Sequence, residues 1–222
     1  MDMLWSAAAA LAAYLIGSLS FAVIVSRTMG LADPRSYGSK NPGATNVLRS
    51  GNSKAAVLTL LFDALKGYVP VLLVSLFGPR YGFGEGTVAL VGLGAFLGHL
   101  WPVFFRFQGG KGVATAAGVL LAFNPALGGL VLLTWLAVAY LTRYSSLAAI
   151  ISALAAPLYQ LTIWESGPIA NAVIVMTLLL LWRHFGNIQK LMAGTESKIG
   201  QKAGAGAAPA AAHAHPPKKG AK

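Results

Sequence analysis

The sequence predicts an all-α integral membrane protein, a compact bundle of about seven transmembrane helices with its N-terminus outside and its C-terminus in the cytoplasm. Three observations predict it. Apolar residues make up 56% of the 222 and charged residues only 10%, against about 25% charged in a typical soluble domain. Mean hydropathy is +0.65. The apolar residues fall in long runs, and the basic residues gather in the gaps between them. A soluble fold needs a polar surface that this composition cannot cover, so the bilayer must be the solvent.

Seven apolar segments are marked: Leu4–Val25, Ala55–Phe77, Thr87–Phe105, Val113–Phe123, Ala126–Leu141, Leu147–Trp164 and Ile169–Trp182. Segments in lipid must pair their own backbone groups, so each is read as a helix. Strands of a transmembrane barrel would alternate over about ten residues, and no such pattern occurs. Leu4–Val25 has no basic residues before it and no small-residue cleavage site after it, so it reads as a retained helix. Val113–Phe123 is short and ends at Asn124-Pro125. It is expected to be tilted, partial or re-entrant.

Orientation follows from charge. Arg27, Arg35, Lys40, Arg49 and Lys54 fall in the first inner region, Arg106 and Lys111 in the second, and Arg143 in the third. Arg183, Lys190 and Lys198 follow the last span. The outer loops keep Arg80 beside Glu85 and Glu165. This asymmetry is the positive-inside pattern. It also accounts for the net charge of +11. A nucleic-acid-binding domain would be polar as well as basic, so no nucleic acid partner is expected. With no cysteine, disulfides and thiolate metal sites are excluded. Residues 1–199 form the membrane domain. Residues 200–222, rich in Ala, Gly, Pro and Lys, read as a disordered cytoplasmic tail. His213 and His215 lie in it and are too loosely held to make a metal site.

Three polar segments fall on the inner side. The first runs from Gly38-Ser39-Lys40-Asn41-Pro42-Gly43-Ala44-Thr45-Asn46 to Arg49. Its turn formers carry hydroxyl and amide side chains, and Arg suits bidentate capture of phosphate oxygens. The second runs from Gly98-His99 to Thr115 and contains Gly109-Gly110-Lys111-Gly112 at the start of an apolar segment. Glycines let successive backbone N–H groups face one anion, and a helix start adds partial positive charge. A flexible loop with one surface lysine fits these residues equally well. The loop is not a Walker A motif, because Phe105 and Gly112 occupy its required Gly and Ser/Thr positions. The third is Arg183-His184-Phe185-Gly186-Asn187-Ile188, followed by Gly194-Thr195-Glu196. His184 and Asn187 would share a face if the last helix continued through them.

Asp63 and Lys66 sit three residues apart inside the second span. Ionisable groups there are costly, so an internal ion pair is expected. Gly94 and Gly98 suggest a close helix contact, with His99 beside it as a packed residue. Glu196 is one of six acidic residues and could hold a basic site together.

Together the three segments resemble those of the acyl-phosphate:glycerol-3-phosphate acyltransferases, the PlsY family of bacterial phospholipid synthesis. The match is Gly38-Ser39 through Arg49, Gly98-His99 through Thr115, and Arg183-His184-x-x-Asn187-Ile188 with Gly194-Thr195-Glu196. Lys40 stands where the family usually has Gly, and Lys190 where Arg is common. The resemblance implies a multi-pass enzyme of the bacterial plasma (inner) membrane with its active site at the cytoplasmic face. It implies acyl transfer from acyl phosphate to the 1-hydroxyl of glycerol 3-phosphate. The products would be lysophosphatidic acid and inorganic phosphate, and no cofactor would be needed. Ser39, Lys111 and His184 become the catalytic candidates. Gly38, Asn41, Gly43, Thr45, Asn46, Arg49, Gly109, Gly110, Lys111, Gly112, Thr115, His184 and Asn187 become the substrate-binding candidates. Asp63, Lys66 and Glu196 would support the site. The enzyme that makes acyl phosphate is an expected partner, and the bilayer is its setting. Neither His99 nor His184 has an Asp five residues on, unlike many soluble-type acyltransferases; Phe104 and Gln189 stand there. A solute transporter would place polar groups at the bilayer midplane and often repeat its halves; neither feature is found. A scaffold for anionic lipid would need basic charge but not Ser39, His184 and Asn187.

Overall fold

A computed structural model describes residues 2–201. The tail expected to be disordered, with His213 and His215, lies beyond Gln201 and so outside the described residues. Among those described, every regular element is helical. The helices are α1 (Asp2–Gly17), α2 (Phe21–Thr28), α3 (Ala44–Leu48), α4 (Ser53–Phe77), α5 (Glu85–Leu100), α6 (Val113–Phe123), α7 (Pro125–Thr142), α8 (Ser145–Ile163), α9 (Pro168–Arg183) and α10 (Phe185–Met192). Short 3-10 turns lie at Gly78–Tyr81 and Val103–Phe105. The chain is an integral membrane protein.

Among the described residues, five units are long and apolar enough to cross a membrane: Met3–Thr28, Ser53–Tyr81, Glu85–Phe105, Pro125–Thr142 and Ser145–Ile163. Counted as one span, α9 and α10, bent by 56°, bring the number to six. The remaining apolar segment, α6, has 11 residues. At 1.5 Å per residue it covers only about 16 Å, roughly half the hydrocarbon thickness. Local sequence sets these limits. The Asn52 side chain accepts from Ala55 N–H at 2.9 Å and caps α4. Asn124 ends α6 and caps α7 by accepting from Ala126 and Leu127, while Pro125 opens α7 without needing a donor.

The first apolar run departs from its expected single helix, Leu4–Val25. It breaks at residues 18–20 into α1 and α2. The backbone of α5 lies against the chain at this point. Gly17 lies so close to α5 that a Cβ there would stand 2.1 Å from the Ala95 carbonyl oxygen. The break frees the Leu19 carbonyl, which accepts from Lys66 Nζ at 2.7 Å.

Small residues draw the helices together. A Cβ at Gly94 would meet the Ala10 carbonyl, and one at Gly98 the Tyr14 carbonyl. The Gly-x-x-x-Gly face is thus the α1–α5 contact. On the other side α6 lies against α4: a Cβ at Gly118 would meet the Ala64 carbonyl, and Thr115 Oγ1 donates to the Asp63 carbonyl at 2.9 Å. α6 therefore begins beside the middle of α4, and the first turns of α4 extend beyond it. The core between these helices contains Val71, Val91, Ala95, Phe96, Leu100 and Val119.

Candidate active site

Where the first turns of α4 run past α6, a cavity of about 520 Å³ opens among α4, α6, α7, α8 and α9. All three polar segments reach it. Ser39, Asn41, Gly43, Thr45, Asn46 and Arg49 line it from the first segment. Lys111 and Gly112 line it from the second, and His184, Asn187 and Glu196 from the third.

The first segment is shaped by Asn46. Its Nδ2 donates to the Pro34 carbonyl at 2.7 Å and to the Tyr37 carbonyl at 3.2 Å. Its Oδ1 accepts from the Ser39 N–H at 3.0 Å. Gly38 has φ +56°, and a Cβ there would stand 2.3 Å from Asn46 Oδ1. These contacts turn Ser39 toward the cavity. Lys40 also has φ +56°, the left-handed region that glycine enters without cost. Arg49 donates to the Ser197 hydroxyl, and Thr45 shares a hydrogen bond with Ser145 at 3.1 Å.

The glycines of the second segment serve packing. A Cβ at Gly109 would lie 2.2 Å from the His99 carbonyl, and one at Gly110 2.2 Å from His99 Nε2. The Gly110 N–H donates to the His99 carbonyl at 3.1 Å. Gly109 and Gly110 stand outside the cavity lining. Of the four amides expected to cradle an anion, the Gly110 donor is already used. Arg183 braces the loop by donating to the carbonyls of Gly109 at 2.8 Å and Gly110 at 3.1 Å. Gly112 has φ +86°, and a Cβ there would strike the Phe96 ring. Thr115 faces α4. It is fully buried, its hydroxyl is committed to Asp63, and it does not line the cavity.

In the third segment α9 ends at Arg183 and the chain bends into α10, so His184 and Asn187 do not share one continuous helix. His184 is buried, with Nδ1 2.8 Å from the Leu180 carbonyl. A carbonyl only accepts, so Nδ1 carries a proton, and in the neutral form of the ring Nε2 is left as an acceptor. Asn187 Nδ2 donates to Glu196 Oε1 at 2.8 Å, and the Ser146 hydroxyl donates to the same oxygen at 2.8 Å. With its Nδ2 so committed, Asn187 turns its Oδ1 to Lys111, which donates to it. Burial holds Lys111 below the usual lysine range, at about 8, although Glu196 pulls it the other way; Lys190, Arg183 and Arg49 add to the lowering.

Beneath these groups Lys66 Nζ lies 2.8 Å from Asp63 Oδ1 with both side chains buried. This is the internal pair expected from their spacing. Lys66 points away from the cavity toward Leu19, while Asp63 and His99 line it, with His99 Nδ1 3.6 Å from Asp63 Oδ1.

Residues 7–194 match the family model described as glycerol-3-phosphate acyltransferase. The chain belongs to the glycerol-3-phosphate acyltransferase family. It is 64% identical to the "Glycerol-3-phosphate acyltransferase" of Paraburkholderia phytofirmans over 199 residues, covering 90% of this chain and 93% of the relative. To the protein of the same description in Burkholderia pseudomallei it is 63% identical over 201 residues, covering 90% and 98%. Two crystal structures of PlsY, an integral membrane glycerol 3-phosphate acyltransferase, share the fold. The glycerol 3-phosphate form gives a TM-score of 0.81 at 37% identity, covering 87% of this chain and 94% of that one. The lysophosphatidic acid form gives 0.80 at 36% identity, with the same coverage. The family is therefore that of PlsY, and the chain is a membrane transferase.

The sequence motifs missed several members of the site. Ser145 and Ser146 on α8, and Ser197 after Glu196, carry no local pattern that marks them. Arg183 and His99 were visible in the motifs, but the loop each supports was not.

Proposed function

We propose that this acyltransferase moves a fatty acyl group from acyl phosphate to the 1-hydroxyl of glycerol 3-phosphate, giving lysophosphatidic acid and inorganic phosphate. One observation carries the reading. A mouth bearing Arg49, Lys111, His184 and Asn187 opens directly onto an apolar trough lined by Leu60, Leu120, Val131, Trp135, Ala156 and Met176. Two phosphates and one alkyl chain need that combination.

The roles follow from the groups. Arg49 and Lys111 take phosphate oxygens, with Asn187 and Glu196 holding Lys111 in place. Ser39 and His184 Nε2 contact the substrates at the reacting centre. O1 of glycerol 3-phosphate attacks the acyl carbon, the bond from that carbon to the phosphate oxygen breaks, and the hydroxyl proton passes to the departing phosphate. An acyl phosphate is a mixed anhydride with a good leaving group, so positioning and charge stabilisation suffice. No acyl-Ser39 intermediate is invoked. The His184 Nδ1–H donates its hydrogen bond to a backbone carbonyl and not to a carboxylate, which does not suit the ring to activate a serine. The basic residues that follow the positive-inside rule lie at the mouth end. This supports a cytoplasmic active site in a bacterial inner membrane, with the N-terminus outside. A cytoplasmic mouth also suits receipt of acyl phosphate from the enzyme that makes it.

The test uses purified protein in lipid, labelled glycerol 3-phosphate, and palmitoyl phosphate or palmitoyl-CoA as donor. Labelled lysophosphatidic acid from acyl phosphate alone is the expected result. Product from palmitoyl-CoA instead would overturn the donor assignment, and acyl chain trapped on Ser39 would overturn direct attack.

A further inference from the structure

The apolar trough has a closed end. On four helices the lining stops at one layer: Leu120 on α6, Val131 on α7, Ala156 on α8 and Val173 on α9. All four are buried and belong to one packed cluster with Leu127. About one turn further from the mouth stand Phe123, Leu127, Tyr159 and Ile169. They belong to or pack against the same cluster, and none lines the cavity. Tyr159 is fixed there by a 2.9 Å hydrogen bond with Thr134. From His184 at the mouth to Val173 at the closed end, the rise along α9 is about 16 Å.

We propose that the layer of Leu120, Val131, Ala156 and Val173 is the stop that sets which acyl-chain lengths this enzyme accepts. The proposal rests on the trough holding the acyl chain, as argued above, and holds whatever group activates that chain. Packed interiors leave no slack at methylene scale. A chain that outruns the stop must bend back, turn out sideways past the exposed Leu60 and Leu136, or leave its carbonyl short of Ser39 and Lys111. Ala156 has the smallest side chain of the layer, so it decides how deep the trough runs. Leucine there puts an isobutyl group where a methyl stood. Alanine in place of Val173 removes bulk from the same layer on α9.

The experiment measures kcat/KM in lipid for decanoyl, lauroyl, palmitoyl and stearoyl phosphates, with the KM for glycerol 3-phosphate as internal control. The same chain lengths are run as acyl-CoA esters, so that failure of the acyl phosphate assignment reads as a change of donor while the length profile is still obtained. Wild type, Ala156→Leu and Val173→Ala are compared. Methylene-scale discrimination in an apolar pocket is about 10- to 200-fold. Ala156→Leu should lower the palmitoyl-to-lauroyl ratio by at least about tenfold, and Val173→Ala should raise the stearoyl-to-palmitoyl ratio. Opposite shifts in the two variants establish the stop. An unchanged length profile in folded Val173→Ala, or an equal loss for every chain length in Ala156→Leu, overturns it. Should Ala156→Leu fail to fold, the Val173→Ala profile decides alone.

Discussion

Lys111 offers a prediction in which binding and stability respond to pH with opposite signs. Its ammonium is held at about 8 by burial in the free protein, against about 10.4 for an exposed lysine. If Lys111 must be charged to take a phosphate, the competent fraction is about 90% at pH 7 and about 10% at pH 9. The KM for glycerol 3-phosphate should then rise about tenfold across that interval. The substrate does not confuse the reading, because a phosphate monoester loses its second proton near pH 6. Stability of the substrate-free protein runs the other way. The unfolded chain binds more protons than the folded one between about 8 and 10.4, so stability increases as pH rises through that window. Below it, the folded protein carries the cost of a buried ammonium. The assay is initial-rate kinetics at fixed ionic strength from pH 7 to 9, beside unfolding curves without substrate. Lys111→Arg keeps its charge throughout and should flatten the KM profile. A flat wild-type profile, or an unchanged slope in Lys111→Arg, would refute the assignment of Lys111 to phosphate binding.

The remaining expectations concern the supports of the site. Ser146→Ala removes a donor from Glu196 and loosens Asn187 and Lys111 behind it; the KM for glycerol 3-phosphate should rise several-fold with a smaller change in kcat, and Ser146→Thr should restore it. Lys66→Met leaves Asp63 buried without its cation and should cost about 3–5 kcal/mol, whereas Asp63→Leu with Lys66→Met should cost clearly less than the sum of the single changes in a double-mutant cycle read by unfolding in detergent. Lys40→Gly relieves a left-handed backbone; the gain of about 1–2 kcal/mol, less the chain entropy of glycine, leaves about 0.5–1 kcal/mol, visible as a raised unfolding midpoint.

The family and the membrane class were legible in the chain itself. Long apolar runs admit only helices in lipid, and the basic residues between them give the polar segments a common side. The Asp63–Lys66 pair was legible for a similar reason. Three residues on a helix is one face, and an apolar surrounding leaves such charges little choice but each other. What the sequence could not carry was the use of each backbone group. Gly110 and Thr115 have the chemistry of a phosphate site, yet the end of α5 and the middle of α4 take up their donors. The break at residues 18–20 was hidden inside an unbroken apolar run, because its neighbours are a backbone on α5 and Lys66 on α4. Ser146, Ser197 and the closed end of the trough gain their roles only when helices far apart in sequence pack together. Composition and local spacing record what a segment must avoid in lipid. Which donor meets which acceptor, and where a cavity ends, is decided by close packing between segments, and only the tertiary structure holds that.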